Sequence, residues 1–398
     1  MSRDVLETLQ DLVQLPSVNP MGRELSAEVA YEGRVTDYLQ ERFHQMELPW
    51  HRQTVAPGRD NILARLDGDP LLEQGGSLLM LQAHQDTVPT EGMTIAPWAA
   101  EVRDGRVYGR GACDVKGALA CMLTAVSQLA SRRPAHRPTV LLACTVDEEY
   151  GFGGARRMVE LWQSPGGFVP RRPDAAVVAE PTLLDVVIAH KGTARWRIHT
   201  QGRAAHSSQP EAGSNAIYKM AAVLAALERY ARAEAPGLAN HALLGQPTLS
   251  VGRIQGGISV NVVPDRCLIE LDRRLVPGED PRAAWQHVVD FLAAELPELP
   301  LVHEEPYQSM PGLDGQQNRE LAERLGRVAR ACGARGRPIG VPYGTDAPAF
   351  AQSGVPTVVC GPGDIAQAHT VDEWIAIEQL HAGTEFYYRL ATQWDAAD

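Results

Sequence analysis

Apolar residues are arranged in two textures along the chain. In the first, short unbroken apolar runs alternate with stretches of helical period. The runs at 77–84 (SLLMLQAH), 139–146 (TVLLACTV), 175–180 (AAVVAE) and 356–361 (PTVVCG) predict strands. Helical spacing covers 3–15, 26–46, 115–130, 318–332 and 374–394. Strands that are apolar throughout have no solvated face, so their alternation with helices predicts a mainly parallel sheet with helices on both faces, an α/β arrangement.

The second texture begins near residue 190. Its order is strand (195–201), helix (215–232), strand (248–254), strand (266–275), helix (282–295) and strand (300–306). This is the split β-α-β order of a small α+β domain. PTLSVGRI and RCLIELDRRL alternate apolar and polar residues, as antiparallel strands with one solvated face do. The pattern predicts a catalytic domain in two parts, 1–189 and 308–398, interrupted by an inserted lid or dimerisation domain at 190–307.

Composition narrows the classes. The chain has 398 residues, 44% hydrophobic and 22% charged, which suits folded domains and not a disordered segment. A formal charge of −12 argues against nucleic acid or an anionic membrane as partner. The N-terminal stretch reads as an amphipathic helix and not a signal peptide, and there is no apolar run of about 18 residues to span a bilayer. Six scattered cysteines without C-x-x-C pairing read as reduced, buried thiols of a cytoplasmic protein.

Candidate chemistry gathers at the ends of the apolar runs. LQAHQDTVP places His84 and Asp86 after the first strand, and VDEEYG places Asp147, Glu148 and Glu149 after the next. Glu180 ends the third, and His369 lies in the loop after the last. Asp114, in GRGACDVKG, opens a helix. Ligands of open α/β sheets bind outside the carboxyl ends of the strands, so these residues are expected to converge. Each alone is ordinary, since a histidine at a strand end or an acidic turn is more often structural. Together, imidazoles and carboxylates without thiolate suit zinc or a related divalent ion in an open site, with Cys113 a minor rival ligand.

Eight motifs in order carry a resemblance: AHQDTVP, GRGACDVKG, DEEYGFGG, AEPT, GRAAHSSQPEAGSNAI, GGISVNVVPD, GTDAPAF and GPGDIAQAHTVDEW. They resemble the zinc aminoacylase and carboxypeptidase family that includes acetylornithine deacetylase and succinyl-diaminopimelate desuccinylase. AEPT with the later AHKG, and the QAH-x-x-DE ending, look most like the former. Ala83 stands where the family usually has glycine. The resemblance implies two zinc ions, with cobalt or manganese as substitutes, bridged by Asp114. His84 and Glu180 would complete one ion's protein ligands, and Glu149 and His369 the other's. Asp86 would hydrogen-bond the far nitrogen of His84. Two divalent ions would bring +4, against −4 from three carboxylates and a bridging hydroxide, which leaves a near-neutral buried cluster.

The same resemblance makes Glu148 the base that takes the water's proton and delivers it to the leaving amine. His206 would reach the neighbouring subunit's site and steady the oxyanion. Asp272 and Arg274 share a strand face, and Arg274 is expected to grip a substrate α-carboxylate, with Asn261, Gly344 and Thr345 nearby. A plain helix N-cap explains Thr345 nearly as well. Arg273, on the opposite face, reads as a solvated charge. The implied activity is removal of the acyl group from an N-acyl-L-amino acid, N-acetylornithine first, by a homodimer. Desuccinylation of a diamino acid, broader N-acyl amino acid hydrolysis, and dipeptidase or carboxypeptidase activity stay open. Asp364 and Glu304 are guesses for a partner to a substrate ammonium. A catalytically dead relative would lack the base or a ligand, and all of these positions are intact.

Overall fold

The computed structural model describes residues 4–163 and 166–395. The chain divides into two compact units. One comprises Met1–Ile188, Gly315–Ile339 and Thr345–Asp398, and the other Ala189–Asp314 with Gly340–Gly344.

The first unit is organised by an eight-stranded sheet in the order Trp50–Ala56, Arg59–Leu66, Thr139–Thr145, Leu78–His84, Ala175–Val178, Thr357–Val359, Val186–His190, Pro338–Val341. The four strands from Thr139–Thr145 to Thr357–Val359 run parallel. Every residue of Leu78–His84 and Thr139–Thr145 is buried, so both faces of the sheet are covered there, as the unbroken apolar runs require. Antiparallel strands flank this centre: Arg59–Leu66 pairs with Thr139–Thr145 on one side and Val186–His190 with Thr357–Val359 on the other. The helix Lys116–Arg132 packs against Ile377–Thr392 and Val5–Val13, and its apolar residues join the sheet in one core.

A small three-stranded sheet serves the site directly. Trp374–Ala376 pairs with Arg106–Tyr108, which pairs with Glu101–Arg103. The 374–394 helix of the sequence reading therefore opens with a strand, and that strand fixes the segment after His369 against the loop before Asp114.

The second unit is an antiparallel sheet in the order Thr248–Gly256, Arg266–Leu275, Gly192–Gln201, Leu301–His303, with Gln308–Met310 also on Gly192–Gln201. One face carries Ala194, Trp196, Ile198, Ile269 and Leu271, which form a core with the helices Ala216–Arg229 and Pro281–Glu295. Arg273 lies on this covered face and is fully buried, not solvated. Alternation puts it there with Leu271 and Leu275, and its charge is met by Glu279 at 2.8 Å and the Arg274 carbonyl at 2.6 Å. Among the described residues no helix is long and apolar enough to cross a membrane.

Candidate active site

The parallel register brings the strand ends level. His84 aligns with Thr145, so Asp86 and the 147–149 turn emerge side by side. Glu180 follows the next strand, and Asp114 precedes the helix Lys116–Arg132. Two groups of possible ligand atoms result, each within 4.8 Å: His84, Asp114 and Glu180, and Asp114, Glu149 and His369. Asp114 belongs to both. His84 Nε2 lies 3.1 Å from Asp114 and 4.0 Å from Glu180, and His369 Nε2 lies 3.3 Å from Asp114 and 3.2 Å from Glu149.

Like charges crowd this pocket. Burial first, then Glu180, pushes the Glu148 carboxyl well above the usual range. Burial and Asp114 do the same to Glu180 and raise Glu149. Against the cost of its own burial, Asp114 is held below the usual carboxylate range by His369 and His84. Glu149 Oε1 is buried and, among the described residues, has no hydrogen-bond partner. Unpaired carboxylate oxygen and mutual repulsion are what a divalent cation relieves, and oxygen and imidazole donors without thiolate suit zinc. Cys113 stays outside both groups, its Sγ 3.3 Å from the Asp364 carbonyl.

Asp86 does something other than expected. The Nδ1 of His84 meets the backbone carbonyl of Asp86 at 2.9 Å, while the nearest carboxylate oxygen is 3.7 Å away. The carboxylate instead accepts the amides of Glu148 and Glu149, both at 3.1 Å, and Asn19 Nδ2 at 2.8 Å. A residue two positions beyond a strand end can reach back with its carbonyl, which leaves the side chain free to anchor the adjacent turn. That turn is tight. Asp147 has a φ of 68°, and a Cβ on Gly151 would stand 2.3 Å from its carboxylate.

Several supporting residues escaped the sequence reading. Asp147 also accepts Arg59 Nη1 at 2.8 Å, and Arg59 makes a buried ion pair with Glu32. Glu373 accepts the amides of Gly111, Cys113 and Asp114 at 2.9–3.1 Å and Arg110 at 2.7 Å, so it shapes the loop that presents Asp114. Its motif, HTVDEW, was quoted, but a carboxylate that serves backbone amides leaves no spacing signal. Asp346 is fully buried against Gln82 and Thr145, and burial lifts it to about 7.

The remaining candidates differ in setting. Thr345 is buried in the first unit and accepts the Ala347 amide at 3.1 Å. Gly344, His206, Asn261 and Arg274 belong to the second unit. His206 is exposed, its Nδ1 2.7 Å from Ser208 Oγ, and Asn261 is exposed beside Ser259. Arg274 is half-buried and paired with Asp272, to whose Oδ2 it donates Nη2 at 3.0 Å. Glu304 is engaged by His199 and Arg197, and Asp364 accepts the Ala366 amide.

A model described as "Peptidase family M20/M25/M40" matches residues 80–393. Acetylornithine deacetylase of Myxococcus xanthus is 33% identical over 309 residues, 77% of each chain. Two solved structures share the fold. An M20 family metallo-carboxypeptidase from Sulfolobus solfataricus has a TM-score of 0.78 at 18% identity, covering 99% of this chain and 100% of the other. A dinuclear metal binding peptidase of the same family from Bacillus subtilis has a TM-score of 0.65 at 18% identity, covering 98% and 97%. The family model spans most of the chain and the deacetylase agrees with it over three quarters of its length: this chain belongs to peptidase family M20/M25/M40, a family of hydrolases.

Proposed function

We propose that the protein is a metal-dependent amidohydrolase that removes the acyl group from an N-acyl-L-amino acid, with N-acetylornithine the leading substrate. The observation that carries this reading is the pair of donor groups sharing Asp114, with Glu148 beside them and in neither. His84, Asp114 and Glu180 would hold one ion, and Asp114, Glu149 and His369 the other, zinc by preference and cobalt or manganese in its place. Bound, the ions would supply Lewis acidity, polarising the substrate carbonyl and acidifying water.

The chain's own groups do the rest. Glu148, raised by burial, takes a proton from the attacking water and hands it to the leaving nitrogen. Asp86 holds the backbone of Glu148 and Glu149 so that both side chains start from one fixed turn. Arg274 grips the substrate α-carboxylate, with Asn261, Gly344 and Thr345 as further contacts. His206 donates to the developing oxyanion from a neighbouring subunit.

A homodimer is supported by the second unit's surface. Its sheet ends on Thr248–Gly256, where Ile254 is exposed, and the following loop holds Ile258 and Val260 out at 89% and 99% exposure. All six cysteines are free and five are buried, which supports a reducing, cytoplasmic setting.

The 33% identity to an acetylornithine deacetylase favours acyl amino acids over peptides as substrates. The test is a panel of N-acetyl, N-succinyl and dipeptide substrates, assayed with zinc or cobalt and after exhaustive chelation. N-acetyl-L-ornithine should be cleaved fastest, with activity lost to chelator and restored by metal. Full activity in the chelated protein would refute the metal reading, and a preference for dipeptides would refute the substrate.

A further inference from the structure

In the second unit, Asp272 stands between two arginines on the sheet face opposite the helix-packed core. The antiparallel register sets Asp272 against Arg195, and Arg274 against Thr193 one pair further along. Arg195 donates Nε to Asp272 Oδ2 at 2.9 Å and Nη1 to Gln308 Oε1 at 2.7 Å, and its Nη2 lies 2.9 Å from the same Asp272 oxygen in the ion pair. Two of its three terminal donor groups are thus committed by hydrogen bonds within the protein, and the third lies in the ion pair. Arg274 donates Nη2 to Asp272 Oδ2 at 3.0 Å, and its Nε lies 2.8 Å from Oδ1 as an ion-pair contact, with that oxygen accepting no hydrogen bond among the described residues. Among the described residues Nη1 of Arg274 carries no hydrogen bond. The three charged side chains are 26–28% exposed, open enough to meet a ligand.

The charge balance decides what this cluster does. One aspartate facing one arginine in a bidentate fork is a closed, neutral pair with little left to attract an anion. One aspartate shared between two arginines leaves a surplus of one positive charge. Gln308 anchors Arg195, so the surplus is presented at Arg274. We propose that Arg195 is the positioning residue that keeps Arg274 available to a carboxylate ligand, by taking a share of Asp272 that would otherwise neutralise it. The proposal rests on the reading of Arg274 as the carboxylate grip.

The test compares KM and kcat for an N-acetyl-L-amino acid across Arg274→Met, Arg195→Met, Arg195→Lys and the double variant Arg195→Met with Asp272→Asn. Arg195→Met should raise KM on the order of tenfold, the scale of one charge-assisted hydrogen bond, with kcat within about twofold. Arg195→Lys keeps the charge and should hold KM within about threefold. The double variant removes the neutralising aspartate as well, and should bring KM back toward the unmodified protein. That recovery is the signature of charge sharing, because a role in folding alone would make the double variant worse. An unchanged KM in Arg195→Met overturns the proposal, as does a double variant no better than the single one. If Arg274→Met raises KM and Arg195→Met does not, only this proposal fails. If Arg274→Met leaves KM unchanged, the carboxylate reading of Arg274 fails first. Should Arg195→Met not fold, Arg195→Gln carries the same comparison.

Discussion

The two units handle charge in opposite ways. In the first, Asp114, Glu148, Glu149 and Glu180 converge in a buried pocket where the ion pairs run to two histidines. In the second, arginines and acids alternate across a half-exposed sheet face and satisfy one another: Arg195 and Arg274 with Asp272, Arg253 and Arg197 with Glu270. The second arrangement meets most of its charge internally, by ion pairs across the sheet face. The first gathers four carboxylates at low dielectric, where protonation or a bound cation relieves their repulsion. The difference separates a buried cluster of mutually repelling acids from a half-exposed network of ion pairs with a small imbalance of its own.

Four experiments press on this contrast, in order of expected effect. Glu148→Gln, by removing the proposed proton acceptor and none of the proposed ligands, should cost about a thousandfold in kcat with metal content unchanged; near-normal turnover would take Glu148 out of the role. Arg273→Met probes the second unit where it does bury a charge. It leaves Glu279 without its partner and should destabilise the protein by about 3–5 kcal/mol in denaturant titrations, whereas a loss under 1 kcal/mol would show that Glu279 finds water or another partner.

The third is a pH effect. Burial, the first cause, and Arg274 hold His190 down at about 4, against an ordinary 6.5. The folded form therefore binds this proton more weakly than the unfolded chain. Its contribution to stability is fully present above pH 6.5 and is lost as pH falls toward 4. The loss should reach roughly 3 kcal/mol, and His190→Leu should flatten that part of the stability profile. An identical slope in the variant would assign the effect to other groups. Smallest of all, Arg253→Ala breaks a pair whose arginine is 67% exposed, and should change stability by less than about 1 kcal/mol.

How far the sequence could be read follows from the same physics. Leu78–His84 and Thr139–Thr145 were legible because strands buried on both faces leave an unbroken apolar run. The edge hairpin Trp50–Ala56 and Arg59–Leu66 was not, because its outer strand is partly exposed and mixes polar with apolar residues. The residues gathered at the strand ends could be listed from their positions, but what each side chain does there could not. Asp86 sends its carbonyl, not its carboxylate, to His84, and nothing in AHQDTVP distinguishes the two. Arg273 misled for a related reason. Alternation placed it correctly opposite Arg274, yet a charged residue on a strand reads as solvated unless its partner, here six residues on, is known.

The double hold of Asp86 on the amides of Glu148 and Glu149 has a consequence for anyone redesigning this protein. The two glutamates hang from one bracket. On the proposed assignment, a change at Glu149 made to favour another ion is expected to disturb the same peptide segment that carries Glu148, which couples the two proposed roles. Of the proposed ligands, Glu180 and His369 hang from other parts of the frame and are where variants of ion preference are expected to leave Glu148 undisturbed.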